Sequence, residues 1–139
     1  MVDVGGARMI EIGMQIPEKI FLIDRELLKR YADASGDHNP IHQDEEFAKS
    51  VGLPDVIAHG MLTMALVGKY VTDWSGGTAS MKEFGARFLK PVIVPSGQSV
   101  DLTVNGTITA IEDGKIKIDL VATSAGIKVL GMAKATVIK

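Results

Sequence analysis

Residues Gly60 to Trp74 constrain this chain more than any other stretch. Met61, Leu62, Met64, Ala65, Leu66, Val67, Tyr70, Val71 and Trp74 are spread around a helical wheel rather than along one stripe. A helix apolar on nearly all sides has to be buried on nearly all sides, and Gly76-Gly77 marks its end. The remainder of the chain must therefore wrap it. Beyond residue 80 the pattern changes to a period of two: Val100, Leu102, Val104, Gly106, Ile108 and Ala110 alternate with Asp101, Thr103, Asn105, Thr107 and Thr109. Asp113-Gly114 is a hairpin signal, and Ile116, Ile118, Leu120 and Ala122 alternate with charged residues after it. Gly126 permits a second turn into Ile127–Ile138.

Upstream, residues 1–15 read as a polar lead-in and Lys19–Ile23 as a short strand. Asp24 caps a helix with Glu26 in its first turn, Leu27, Leu28, Tyr31 and Ala34 at helical spacing, and an end near Ser35-Gly36. Residues 36–43 form a loop, and Asp44–Ser50 a short helix closed by Gly52. The order is one strand, short helices, one buried helix, then about four antiparallel strands. It predicts one α+β domain over residues 1–139, an antiparallel sheet wrapped around a long central apolar helix.

Composition narrows the partners. Fifteen Lys and Arg against seventeen Asp and Glu give a net charge of −2, which leaves no basic excess for a nucleic-acid backbone. There is no Cys, so disulfides, Cys-zinc sites and thiolate nucleophiles are excluded together. No apolar run approaches the roughly 20 residues of a membrane helix. Met1 to Arg8 lacks a basic flank followed by an apolar stretch, so no signal peptide is read and a cytoplasmic location is expected.

The chemistry concentrates in one segment. His38, His42 and His59, the chain's three histidines, lie within residues 38–59 beside Asp37 and Asp44, next to the apolar helix. Metal binding is disfavoured, because Pro40 and Gly36 prevent the helix that would place His38 and His42 on one face. Nucleophilic catalysis lacks both Cys and a Gly-x-Ser-x-Gly elbow. Acid–base work on a water fits better: Asp37 and His42 on a Pro-kinked loop can converge on one point. Gly60, opening the helix, offers a free N–H at the positive end of the helix dipole to a developing oxyanion.

At these residues the chain resembles a known family. Tyr31-Ala32-x-x-Ser35-Gly36-Asp37-x-Asn39-Pro40-Ile41-His42-x-Asp44, followed by Ala48, Gly52 and Ile57-Ala58-His59-Gly60-Met61-Leu62, is similar to the hydratase motif of MaoC-like proteins. These are R-specific 2-enoyl-CoA hydratases and related dehydratases with a hotdog fold. Phe84-x-x-Arg87-Phe88-x-x-Pro91-Val92 through Gly97 extends the resemblance, which is weakest over residues 1–18. Within the family, Gly60-Met61-Leu62-Thr63-Met64 is most similar to the beta-subunit type of actinobacterial (3R)-hydroxyacyl-ACP dehydratase.

The resemblance implies a catalytic pair of Asp37 and His42, with the Gly60 amide holding the thioester oxygen. It places Asn39, His59 and Met61 around the substrate. It further implies an acyl-CoA or acyl-ACP substrate, no cofactor and no metal. The partner it implies is another hotdog subunit, as a homodimer or heterodimer. One departure is Val67-Gly68, where some single-chain hydratases carry a Ser that supports the Asp.

Plainer roles stand beside these. Asp37 can close an Asx turn before Asn39-Pro40, and Asn39 can serve the same turn. His38 reads as a solvated loop residue, His59 as an anchor of the helix start and Asp44 as a helix cap. Met61, Met64 and Trp74 suit the core, and Arg87 and Lys90 a surface ion pair. The rival functions are a hotdog thioesterase and a non-catalytic hotdog partner. The intact Asp-x-Asn-Pro-x-His block argues against both.

Overall fold

The computed structural model describes residues 2–4 and 8–138. The lead-in contains strands: β1 (Val2–Val4) pairs antiparallel with β2 (Arg8–Ile10), and Ile10 is buried in the core. A three-residue strand is too short a pattern to read from sequence. Met1 and Gly5-Gly6-Ala7 lie outside the described residues. The strand expected at Lys19–Ile23 is the second half of β3 (Gln15–Ile23). Its register shifts between Ile16 and Lys19, where Pro17 has no N–H to donate.

Asp24 caps α1 (Arg25–Ser35) by accepting from the Leu27 N–H at 2.8 Å, and Gly36 closes it at φ 80°. The buried stripe is Leu28 and Ala32; Leu27 and Tyr31 are half-buried, and Ala34, expected on that stripe, is exposed. Pro40–His42 is a 3₁₀ turn rather than plain loop. α2 (Glu45–Ser50) is capped by Asp44. The long helix is α3 (Gly60–Ser75).

Beyond α3 come β4 (Met81–Phe88), β5 (Val100–Glu112), β6 (Lys115–Ser124), β7 (Ile127–Lys128) and β8 (Leu130–Ile138). The main sheet runs β3-β5-β6-β8-β4, antiparallel throughout, with β7 on the end of β6. The alternation read in the sequence is the burial pattern of β5 and β6: Leu102, Val104, Ile108, Ile116, Ile118 and Leu120 all face the core. The fold is the antiparallel α+β sheet around a central helix that the pattern predicts.

The helix is less enclosed than its composition suggests. Leu62, Thr63, Val67, Tyr70, Val71 and Ser75 are buried, but Met61, Ala65, Lys69 and Asp73 form an exposed stripe. A single sheet covers a helix from one side only. Lys69 and Asp73 use the open side for an i,i+4 ion pair at 2.9 Å. Among the described residues no helix is long and apolar enough to cross a membrane.

Two ties hold the site segment to the stretch between β4 and β5. Residues 56–58 run beside residues 92–94, through Ala58 N–H to the Val92 carbonyl at 2.8 Å and Val94 N–H to the Val56 carbonyl at 2.9 Å. Arg25 on α1 donates to the Val94 carbonyl at 2.6 Å and to Asp55 at 2.8 Å. Neither tie was legible in the sequence.

Candidate active site

The segment after α1 is held by its own short polar side chains. Ser35 Oγ accepts from the Asp37 N–H, Asp37 Oδ1 from the Asn39 N–H, and Asn39 Oδ1 from the Ile41 N–H, each at 3.2 Å. Asn39 thereby caps the 3₁₀ turn that Pro40 opens. That turn directs His42 inward, where it is buried. Its Nδ1 lies 2.8 Å from the Ile57 carbonyl. A carbonyl only accepts, so this contact assigns the proton to Nδ1 and leaves Nε2 with a free lone pair.

His42 lines a cavity of about 270 Å³ together with Gly60, Thr63, Phe88, Leu89 and Val92. Gly60 is the first residue of α3, so its N–H has no acceptor within the helix. Its missing side chain matters here: a Cβ would stand 3.0 Å from the Phe88 ring. The cavity thus has a basic nitrogen, a backbone donor at a helix N-terminus and mostly apolar walls.

Asp37 is exposed and stands at the edge of this group. One potential ligand atom each from Asp37, His42 and His59 lie within 4.8 Å of one another. That is the composition of a metal site, but the geometry works against it. The His42 and His59 rings stack with centroids 3.9 Å apart and planes 23° from parallel. Imidazole lone pairs lie in the ring plane, so two stacked rings do not converge on one ion.

The other expected residues fall outside the cavity lining. His59 is buried behind His42 and makes no side-chain cap on α3; its Nε2–H donates instead to the Asp37 carbonyl at 3.0 Å. Burial is the chief reason its pKa lies below the ordinary histidine value. The side chain of Asn39 is engaged in its own turn, and Met61 is 58% exposed. Conversely, the cavity walls at Phe88, Leu89 and Lys90 were readable only through the family-like Phe84–Val92 stretch. Thr63, one turn after Gly60, was readable only as part of the family-like run Gly60–Met64.

His42 and Gly60 thus share a cavity at the start of a helix packed on one antiparallel sheet, with Asp37 at its edge. The chain belongs to the MaoC-like domain family, whose description as a MaoC like domain matches residues 11–126. Among its relatives is the 3-hydroxyacyl-thioester dehydratase X of Mycobacterium tuberculosis (strain ATCC 25618 / H37Rv). It is 39% identical over 80 residues, 58% of this chain and 28% of that protein. The 3-oxo-4,17-pregnadiene-20-carboxyl-CoA hydratase beta subunit of the same organism is 31% identical over 113 residues, 81% of this chain and 84% of that one. A solved structure described as a MaoC-like dehydratase superposes with a TM-score of 0.90 at 36% identity, covering 93% of this chain and 40% of its own. The chain therefore spans less than a third of the first of these relatives and most of the second.

Proposed function

We propose that this chain is a hydro-lyase that interconverts (3R)-3-hydroxyacyl and trans-2-enoyl thioesters, carried on CoA or on an acyl carrier protein, in fatty acid metabolism. The observation that carries the reading is the bare Nε2 of His42 on an apolar cavity, with Asp37 beside it and the Gly60 N–H at the helix start. In the hydration direction a water held by Asp37 and His42 loses a proton to the pair as its oxygen bonds to C3. The C2=C3 electron pair moves toward the thioester carbonyl, and the Gly60 N–H stabilises the enolate oxygen. C2 then takes up a proton from the pair or from solvent. Dehydration is the reverse. The thioester itself acidifies C2, so this mechanism calls on neither metal nor cofactor.

The chain works as one domain and pairs with another hotdog subunit in the cytoplasm. The named relatives support the reaction class, and one of them is by its name a subunit of a larger enzyme. The test follows the enoyl-thioester absorbance band for wild type, Asp37→Asn and His42→Ala. Each variant is expected to fold and to lose about 10²–10⁴-fold in turnover, the range of a general acid–base group. Turnover within tenfold of wild type in either one removes the assignment. Loss of the band matched by release of free thiol makes the chain a thioesterase, whereas hydration removes the band and leaves the thioester intact.

A further inference from the structure

His59 occupies a place that neither a helix anchor nor a substrate contact accounts for. It is 1% exposed, and its Nδ1 is buried without a hydrogen-bond partner. A buried unpaired polar atom costs stability, so its persistence calls for a reason. The reason lies in what the rest of the ring does. Its Nε2–H donates to the backbone carbonyl of Asp37, 22 positions upstream, at 3.0 Å. Its face covers the His42 ring at 3.9 Å. Tyr31 closes on it at 4.8 Å with a 60° tilt. His42 is meanwhile held in its own plane by the Ile57 carbonyl, two residues before His59.

We infer that His59 is a positioning residue that sets both members of the acid–base pair at once, Asp37 through its backbone and His42 through its ring face. This rests on the function proposed above. Asp37 is exposed on a turn whose other restraints are local hydrogen bonds at 3.2 Å. The His59 bond is what ties that turn to the start of α3, and so to the Gly60 N–H. Turning the ring to satisfy Nδ1 would surrender the bond to Asp37. A proton on Nδ1 would instead put a cation against His42, with His38 also near. The bare nitrogen is therefore the consequence of holding Asp37 with a neutral ring. Burial keeps the ring neutral, and the bond to the Asp37 carbonyl, with the Asp37 carboxylate after it, opposes that effect only in part.

Two variants separate this role from others. His59→Leu fills the space without a donor. His59→Gln restores an N–H near the position of Nε2 without the ring. A misplacement of the pair lowers turnover rather than affinity, so His59→Leu should lose about 10²-fold in kcat with KM within roughly threefold. His59→Gln should recover at least about tenfold of that loss. A His59→Leu enzyme within threefold of wild type in kcat overturns the inference. So does a rise in KM at unchanged kcat, which would make His59 a substrate contact. A folded His59→Gln no better than His59→Leu overturns the tie to Asp37.

A measurement on the unaltered protein keeps the idea testable if the variants fail to fold. Long-range proton–nitrogen NMR at neutral pH should show His59 protonated on Nε2 alone and His42 on Nδ1 alone. A cationic His59, or one protonated on Nδ1, refutes it. Asp37→Asn and His42→Ala distinguish the two levels. If they retain turnover, the proposed function fails; if they lose it while His59→Leu does not, only this inference fails.

Discussion

At the scale of single residues, the site is flanked by a half-buried acid with fixed partners. Asp55 Oδ1 accepts from the Val56 N–H at 2.7 Å and from Arg25 at 2.8 Å. The Val56 N–H, and after it the Arg25 charge, hold the Asp55 carboxyl below the usual carboxylate range, against an opposing effect of burial. A pKa lowered by folding means the unfolded chain binds the proton more readily. The stabilisation is thus complete above about pH 4 and disappears as pH falls through the lowered value. Asp55→Asn should flatten this acid limb in urea unfolding curves taken at successive pH values; an unchanged limb contradicts the assignment. His59 is lowered as well, for which burial is the first cause. Its contribution is whole above the ordinary histidine value and declines as pH drops below it, so His59→Gln should remove a step just under about pH 6.5. At Gly60 the constraint is steric. Gly60→Ala brings a Cβ to 3.0 Å from a Phe88 ring that is 56% exposed and free to swing. The expected cost is only about 1 kcal/mol in stability, but turnover falls because the displaced ring is a cavity wall. Calorimetry and the enoyl assay together check both halves.

Elements show where pattern reading succeeds. The caps Asp24 and Asp44, the stop at Gly36 and the hairpin at Asp113-Gly114 each depend on neighbours within a few residues, and all stand where the sequence places them. The α1 stripe is misread by a fraction of a turn, since Ala32 and not Ala34 meets the core. Local spacing gives a helix two candidate faces; the sheet selects one. Leu28 is fully buried on the selected face. Leu28→Ala should cost about 3 kcal/mol in denaturant unfolding. The same substitution at Leu27, on the flank, should cost less than half of that. Equal losses would mean that α1 packs by a different face.

For the whole molecule, the open side of α3 and the cavity mouth carry the same message. Met61, Phe88, Leu89 and Met132 are exposed by 49–64% although apolar, and among the described residues β4 is an edge strand paired only with β8. Apolar surface left open beside the candidate cavity, as at Phe88 and Leu89, suits a partner that completes the wall. Sedimentation of the active species should give at least twice 14.8 kDa. A monomer at micromolar concentration, fully active on long enoyl thioesters, contradicts a shared wall. A homodimer active alone dismisses the need for a different subunit.

The sequence by itself determined the order of elements from Lys19 onward, the central helix, the alternating strands and the nearness of Asp37, His42 and Gly60. Each of these is written in spacing or in residues close along the chain, where the chemistry of caps, turns and periodicity acts. What the tertiary structure decided involves groups far apart in sequence. Ile57 selects the tautomer of His42 from fifteen positions away, and His59 reaches back to Asp37 across 22. Arg25 binds a carbonyl 69 positions on. Such partners are backbone carbonyls or single side chains that carry no repeating pattern. Only the packing of the segments around the start of α3 brings them within 3.0 Å of one another.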